Sequence, residues 1–226
     1  YIKKNNPRIN FKKLEINPNS IEPIDINILS QKKDFIRSKY SLPLNKKIFI
    51  YGGNLGKPQG LDFLLDTIKS TVRLDVFFLI IGSGTEYVRI QKWFEFNKPK
   101  NAMLINSLSK LEYDKLLSIC DVGLIFLNPN FTIPNYPSRL LSYLEMKLPV
   151  IAATDIHTDI GKDIEDYECG FSVISGNSND MKIAIDKVIT SLNSSDSIKN
   201  NAYKLLIEKF NINKSSELIL NAISNN

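Results

Sequence analysis

Short runs of apolar residues alternate along this chain with segments whose apolar positions recur every three or four residues. The runs Ile48 to Tyr51, Val76 to Ile81, Ala102 to Ile105, Asp121 to Leu127, Val150 to Ala153 and Gly170 to Ile174 predict six strands. Between them, Leu61, Leu64, Leu65, Ile68 and Val72 predict one amphipathic helix, and Tyr87, Ile90 and Phe94 predict another over Thr85 to Phe96. Ser109 and Glu112 form a capping box that opens a helix with Tyr113, Leu116, Leu117 and Cys120 facing inward. A helix from about Ser138 buries Leu140, Leu141 and Leu144 and stops at Leu148-Pro149, and three more close the chain near 179–192, 197–210 and 214–223. A shorter helix precedes them all, from Asp34 to Tyr40, ended by Leu42-Pro43.

Strands with no polar face, alternating with amphipathic helices, predict an α/β fold: a doubly wound, Rossmann-like parallel sheet covered on both sides. Ligands of such sheets bind at the carboxyl ends of the strands, which here are the loops 52–60, 82–84, 106–108, 128–138 and 154–157. Residues 1–25 lack periodicity and read as the tail of a preceding domain followed by a linker, with 26–226 as the domain itself. The initial Tyr1 adds the expectation that the chain is cut from a longer protein.

Composition narrows this little. With 226 residues and 43% hydrophobic content the chain can build a real core. No run of 18 apolar residues is present to span a membrane. Cys120 and Cys169 stand far apart, which fits a reducing cytoplasm and argues against a disulfide framework or a zinc site. The net charge of +5 suits a phosphorylated ligand or an anionic surface, but the lysines are scattered and no basic run is interleaved with aromatics, so nucleic acid is not expected.

Two glycine-rich loops carry the candidate chemistry. GGNLGKPQG, from Gly52, is not a Walker A loop, since Pro58 follows Lys57 where a Ser or Thr is required. GSGTEY, from Gly82, is not a dinucleotide fingerprint, since Tyr87 replaces the third glycine. Both still offer backbone N–H groups that can approach an anion closely. The stretch NYPSRLLSYLEMKLPVIAA, from Asn135, adds the N-terminus of a helix with Arg139 beside its orphan N–H groups, a third anion-binding element. His157, the only histidine, reads as a surface residue, the acidic segment Asp159 to Glu168 as a solvated face, and Glu145 as a solvated helix residue.

The series YGGNLGKPQGLDFLL, FFLIIGSG, NAMLINSLSKLEYDKLLSICDVGLIFL and PSRLLSYLEMKLPVIAATD resembles the C-terminal domain of family 4 (group 1) glycosyltransferases. The resemblance covers about residues 20 to 223. It implies the Rossmann-like C-terminal half of a two-domain type B enzyme that retains anomeric configuration. It further implies a bacterial enzyme of capsular polysaccharide or lipopolysaccharide synthesis. This half would bind a nucleotide diphosphate sugar, a UDP-sugar by expectation. A preceding domain would bind a polysaccharide or lipid-linked acceptor, and no cofactor or obligatory metal is expected. The location implied is cytoplasmic, with peripheral association at the inner membrane face, and the fragment alone is expected to be inactive.

Residue by residue, the resemblance places Gly53, Asn54, Gly56 and Gln59 in the donor loop, with Asn54 and Gln59 where many members have Arg and Lys. That leaves Lys57 and Arg139, with Ser138, as the diphosphate-holding groups. Gly82, Ser83 and Leu108 would line the base pocket. Ser142 stands where relatives carry a ribose-binding glutamate, Pro134 where they carry a second one, and Lys147 where they end the helix with glycine. The missing carboxylates keep a rival open: a non-catalytic Rossmann-like interaction or regulatory domain.

Overall fold

The computed structural model describes residues 5–10, 14–24, 33–130 and 136–224. After a short helix α1 (Lys33–Lys39), strands and helices alternate: β1 (Lys47–Asn54), α2 (Leu61–Ser70), β2 (Val76–Ser83), α3 (Tyr87–Asn97), β3 (Ala102–Ile105), α4 (Lys110–Leu117), β4 (Val122–Phe126), α5 (Arg139–Glu145), β5 (Val150–Thr154), α6 (Ile160–Asp166) and β6 (Gly170–Ile174). Helices α7 (Ser178–Ser194), α8 (Ser197–Lys209) and α9 (Ile212–Ser224) follow. The six strands form one parallel sheet in the order β3-β2-β1-β4-β5-β6, the doubly wound arrangement expected.

Strand β1 shows why its run is apolar throughout. Ile48 and Ile50 join the core under α4, α5 and α8, while Phe49 and Tyr51 join the opposite core under α2, α3 and α7. Side chains of a strand alternate between faces, so a strand covered on both sides has no polar position.

The strands run past their apolar stretches. β1 and β2 stay paired through Gly52↔Ile81, Gly53↔Gly82 and Asn54↔Ser83, so the glycine loop starts inside the sheet. Only glycine permits this approach: a Cβ on Gly82 would lie 1.9 Å from the Gly53 carbonyl oxygen. In α2 the helix stops at Ser70 and Thr71 is extended, which leaves Val72 84% exposed and outside the predicted apolar face. Ser109 caps α4 as its sequence demands, accepting from the Glu112 N–H at 3.3 Å.

Helix α5 ends in a Schellman turn. Leu148 N–H bonds the Tyr143 carbonyl at 2.9 Å and Lys147 N–H the Leu144 carbonyl at 3.0 Å, with Lys147 itself at φ 55°. A lysine in this left-handed conformation costs about 1 kcal/mol relative to glycine. The acidic segment is not wholly a solvated face, because α6 buries Ile160 and Ile164. On the same helix, Asp163 accepts from the Tyr136 hydroxyl at 2.9 Å and pairs with Lys209.

Residues 17–24 have no regular structure yet are firmly tied. Ile21 N–H bonds the Phe210 carbonyl at 2.9 Å, Ile212 N–H bonds the Ile21 carbonyl at 3.0 Å, and Ser215 Oγ lies 2.8 Å from Asn17 Oδ1.

Candidate functional site

An open cleft of about 1460 Å³ lies across the carboxyl ends of the strands. Of the residues singled out from the sequence, Gly53, Asn54, Gln59, Gly82, Ser83, Leu108, Ser138, Arg139 and Ser142 line it. Gly56 and Lys57 do not. Gly56 is buried behind the loop, where a Cβ would meet the Asn54 amide nitrogen at 2.9 Å, so its absence of side chain gives Asn54 room. Lys57 is exposed, and its carbonyl lies 3.4 Å from Asn128 Nδ2. Pro134 and the middle of the loop before α5 lie outside the described residues.

Arg139 dominates the cleft floor. Its Nη2 donates to Gln59 Oε1 at 3.0 Å, and its guanidinium carbon sits 4.3 Å from the centre of the Tyr51 ring. The guanidinium also lies close to Gly53, where a Cβ would come within 3.6 Å of Nη2. Gln59 is 8% exposed and also lies 3.3 Å from the Tyr51 hydroxyl, which donates to the Asn54 carbonyl at 2.9 Å. Since a guanidinium only donates, the Gln59 amide must turn its oxygen toward Arg139. Gln59 therefore holds the arginine, a role the sequence did not reveal. Among the described residues Arg139 has no carboxylate partner, and its buried Nη1 has no hydrogen-bond partner at all.

Three phenols surround this group. Tyr143 accepts from Gly52 N–H at 3.0 Å and donates to the Leu124 carbonyl at 3.2 Å. Burial pushes the Tyr143 hydroxyl up to about 12, and raises Tyr51 and Tyr113 above the usual phenol range. All three stay neutral at physiological pH and leave the arginine charge uncancelled. Tyr51 belongs to the apolar run of β1 and reads in sequence as core, and nothing in the sequence singles out Tyr143. The helix terminus itself offers less than expected: Leu140 and Leu141 N–H groups already bond the Pro137 and Ser138 carbonyls at 3.1 Å. The anion-binding element is the Arg139 side chain more than the α5 N-terminus.

Residues 32–205 match the family model of glycosyl transferases group 1. The chain belongs to this family. It is 25% identical over 134 residues to Escherichia coli K12 WcaI, described as a colanic acid biosynthesis glycosyl transferase, an alignment covering 59% of this chain and 33% of the relative. The chain thus spans about a third of that relative's length. A glycosyltransferase structure from Rickettsia africae superposes with a TM-score of 0.80 at 19% identity, covering all of this chain and 61% of that one. Anabaena HepE, solved with UDP, gives 0.73 at 16% identity, covering 90% and 56%. The fold is that of the Rossmann-like half of type B glycosyltransferases.

The remaining cleft wall of this group 1 chain comes from α4, α5 and the N-terminal segment. Ser142 faces the cleft where the family resemblance leads one to expect glutamate. Glu145, one turn on, is not solvated: it is 6% exposed and accepts the Ile24 N–H at 3.1 Å. Burial raises its carboxyl above the usual range, opposed by that bond and by Lys110. Lys110, the other cation in the lining, is paired with Asp114 at 2.8 Å. His157 is exposed and outside the lining, in a turn where Asp155 accepts the His157 backbone N–H at 2.7 Å and the Thr158 hydroxyl at 2.6 Å. Among the described residues no cluster of His, Cys, Asp and Glu suits a metal, and no helix is long and apolar enough to cross a membrane.

Proposed function

We propose that this chain is the donor-binding half of a retaining glycosyltransferase that moves a sugar from a nucleotide diphosphate sugar, a UDP-sugar, to a capsule or lipopolysaccharide acceptor held by a preceding domain. The observation that carries this reading is Arg139: a largely enclosed cation on the floor of an open cleft, fixed by a neutral amide and an aromatic ring, with no counter-ion among the described residues. Leaving a partly buried cation without a counter-charge is costly, and an anionic ligand offsets that cost. The UDP in the HepE structure and the colanic acid pathway in the WcaI description support the choice of donor and acceptor class.

In the transfer step the bond between sugar and diphosphate breaks and negative charge develops on the leaving phosphate. Arg139, held in advance, stabilises that charge electrostatically, with backbone N–H groups of the glycine loops beside it. This chemistry requires neither cofactor nor metal from the chain, so turnover of the longer protein is expected to survive EDTA. The present chain alone is expected to bind donor without transferring sugar, in the cytoplasm at the inner membrane face.

UDP titrated calorimetrically against the chain tests the reading. Arg139→Ala removes a charge-assisted contact of about 1.5–3 kcal/mol and is expected to weaken UDP roughly 10- to 100-fold. Unchanged affinity in that variant, or no UDP binding by the parent at millimolar concentration, overturns it. Ser142 favours a second reading, a binding domain without turnover, because a hydroxyl holds a ribose diol less strongly than a carboxylate does. A longer protein that binds UDP but releases no sugar from any UDP-sugar would support that second reading.

A further inference from the structure

We infer that Gln59 is a positioning residue: it fixes the Arg139 guanidinium on the cleft floor while leaving its full charge for the ligand. This rests on the reading of Arg139 as the anion-holding group. The arrangement is specific to a neutral acceptor. Gln59 Oε1 takes the Arg139 Nη2 proton at 3.0 Å, and Tyr51 supports the arginine from below by its ring and reaches the same Oε1 by its hydroxyl at 3.3 Å. Because Gln59 is 8% exposed and Tyr51 fully buried, neither anchor moves freely.

A carboxylate at position 59 would give the same hydrogen bond and neutralise the site. An aliphatic group of equal length would leave the arginine free to swing, and its rotamer freedom would then be lost on binding. An amide avoids both. Its importance is sharpened by what surrounds it: Asn54 is neutral, Lys57 lies outside the lining and Lys110 is paired with Asp114. Among the described cleft-lining residues, Arg139 is the only side-chain cation without a carboxylate partner.

A double-mutant cycle read by UDP titration tests this. Gln59→Met keeps the volume and removes the acceptor, and is expected to weaken UDP about 10-fold in the parent chain. In an Arg139→Ala background the same substitution is expected to change affinity less than 2-fold, because the residue acts through the arginine. A residue that merely shapes the loop would weaken binding equally in both backgrounds, and that result overturns the inference. Gln59→Glu, equal in size and still an acceptor, is expected to weaken UDP at least as much as Gln59→Met. Parent-like affinity in either single variant also overturns it. If Arg139→Ala alone binds UDP like the parent, it is the diphosphate reading that fails.

Discussion

Two enclosed arginines stand at opposite ends of the sheet, and their surroundings differ in a way that separates architecture from chemistry. Arg37, 2% exposed near the amino ends of β1 and β4, donates to the carbonyls of Pro43, Leu44, Lys46 and Ile119 and pairs with Asp121 at 2.8 Å. Asp121 in turn accepts the Ile48 N–H at 2.8 Å and the Lys33 ammonium at 3.1 Å, so α1, β1 and β4 meet in one network in which only the Arg37 Nε lacks a partner. Arg139, at the carboxyl ends, has one amide, one ring and no carboxylate. Each arginine leaves one buried nitrogen without a partner, so the counter-charge is what separates them: a cation met by a carboxylate holds the fold together, and one left without it is set aside for a ligand.

Breaking the first network gives the largest expected effect. Asp121→Ala leaves the Arg37 cation buried without its counter-charge and is expected to cost about 3–5 kcal/mol, lowering the melting temperature by roughly 10 °C or more. Any folded fraction should bind UDP like the parent. Arg139→Ala should do the converse, with stability within about 1 kcal/mol of the parent while UDP affinity falls. A melting temperature that collapses in this variant would erase the distinction between the two arginines.

The helix that carries Arg139 offers a smaller test. Lys147→Gly relieves the left-handed lysine at its end and is expected to add about 1 kcal/mol, or 2–4 °C, without changing UDP affinity. This holds although the Lys147 ammonium, 5.2 Å from the Tyr203 ring, gives up a contact. Glu145 gives the smallest effect and the one that depends on pH. Its carboxyl is raised in the folded state, so its contribution to stability is present at low pH and is lost as pH rises through the folded value. Glu145→Gln keeps an oxygen for Ile24 and removes the buried charge. Its melting temperature relative to the parent should therefore climb between pH 4 and pH 8, and a flat difference would show that the carboxylate is already compensated.

The sequence made the sheet readable because β1, β2, β4 and β5 are apolar on both faces and most crossover helices carry their own spacing or cap, as Ser109 and Glu112 do, while α6 was hidden in the acidic segment. It was less informative where backbone alone decides. The extension of β1 into Gly52–Asn54 follows from two glycine backbones meeting, and no apolar period marks that. In the site, Arg139 was legible because a cation at a helix start after a loop is conspicuous. Tyr51 was not, and Gln59 was read as a donor-loop residue but not as the partner of Arg139, since that contact joins positions 80 apart in sequence. Lys57, expected beside the diphosphate, is exposed and outside the cleft lining, because membership in a glycine loop does not fix which of its residues face the cleft. Glu145 was taken for a surface residue because its cover, Ile24, lies 121 positions away.

The tethering of residues 17–24 also bears on when the cleft comes into being. Asn19 to Ile24 form one of its walls, yet they are fastened to Phe210, Ile212 and Ser215, the last contact linking positions 198 apart. A growing chain makes the glycine loops and the Arg139 helix long before it makes α9, so the nascent domain has its anion site early and its enclosing wall last. Closure across so long a stretch is slow compared with local helix formation. The wall therefore forms only after residues 210–215 have been made and have docked, and a stop in synthesis before them leaves the anion site without it.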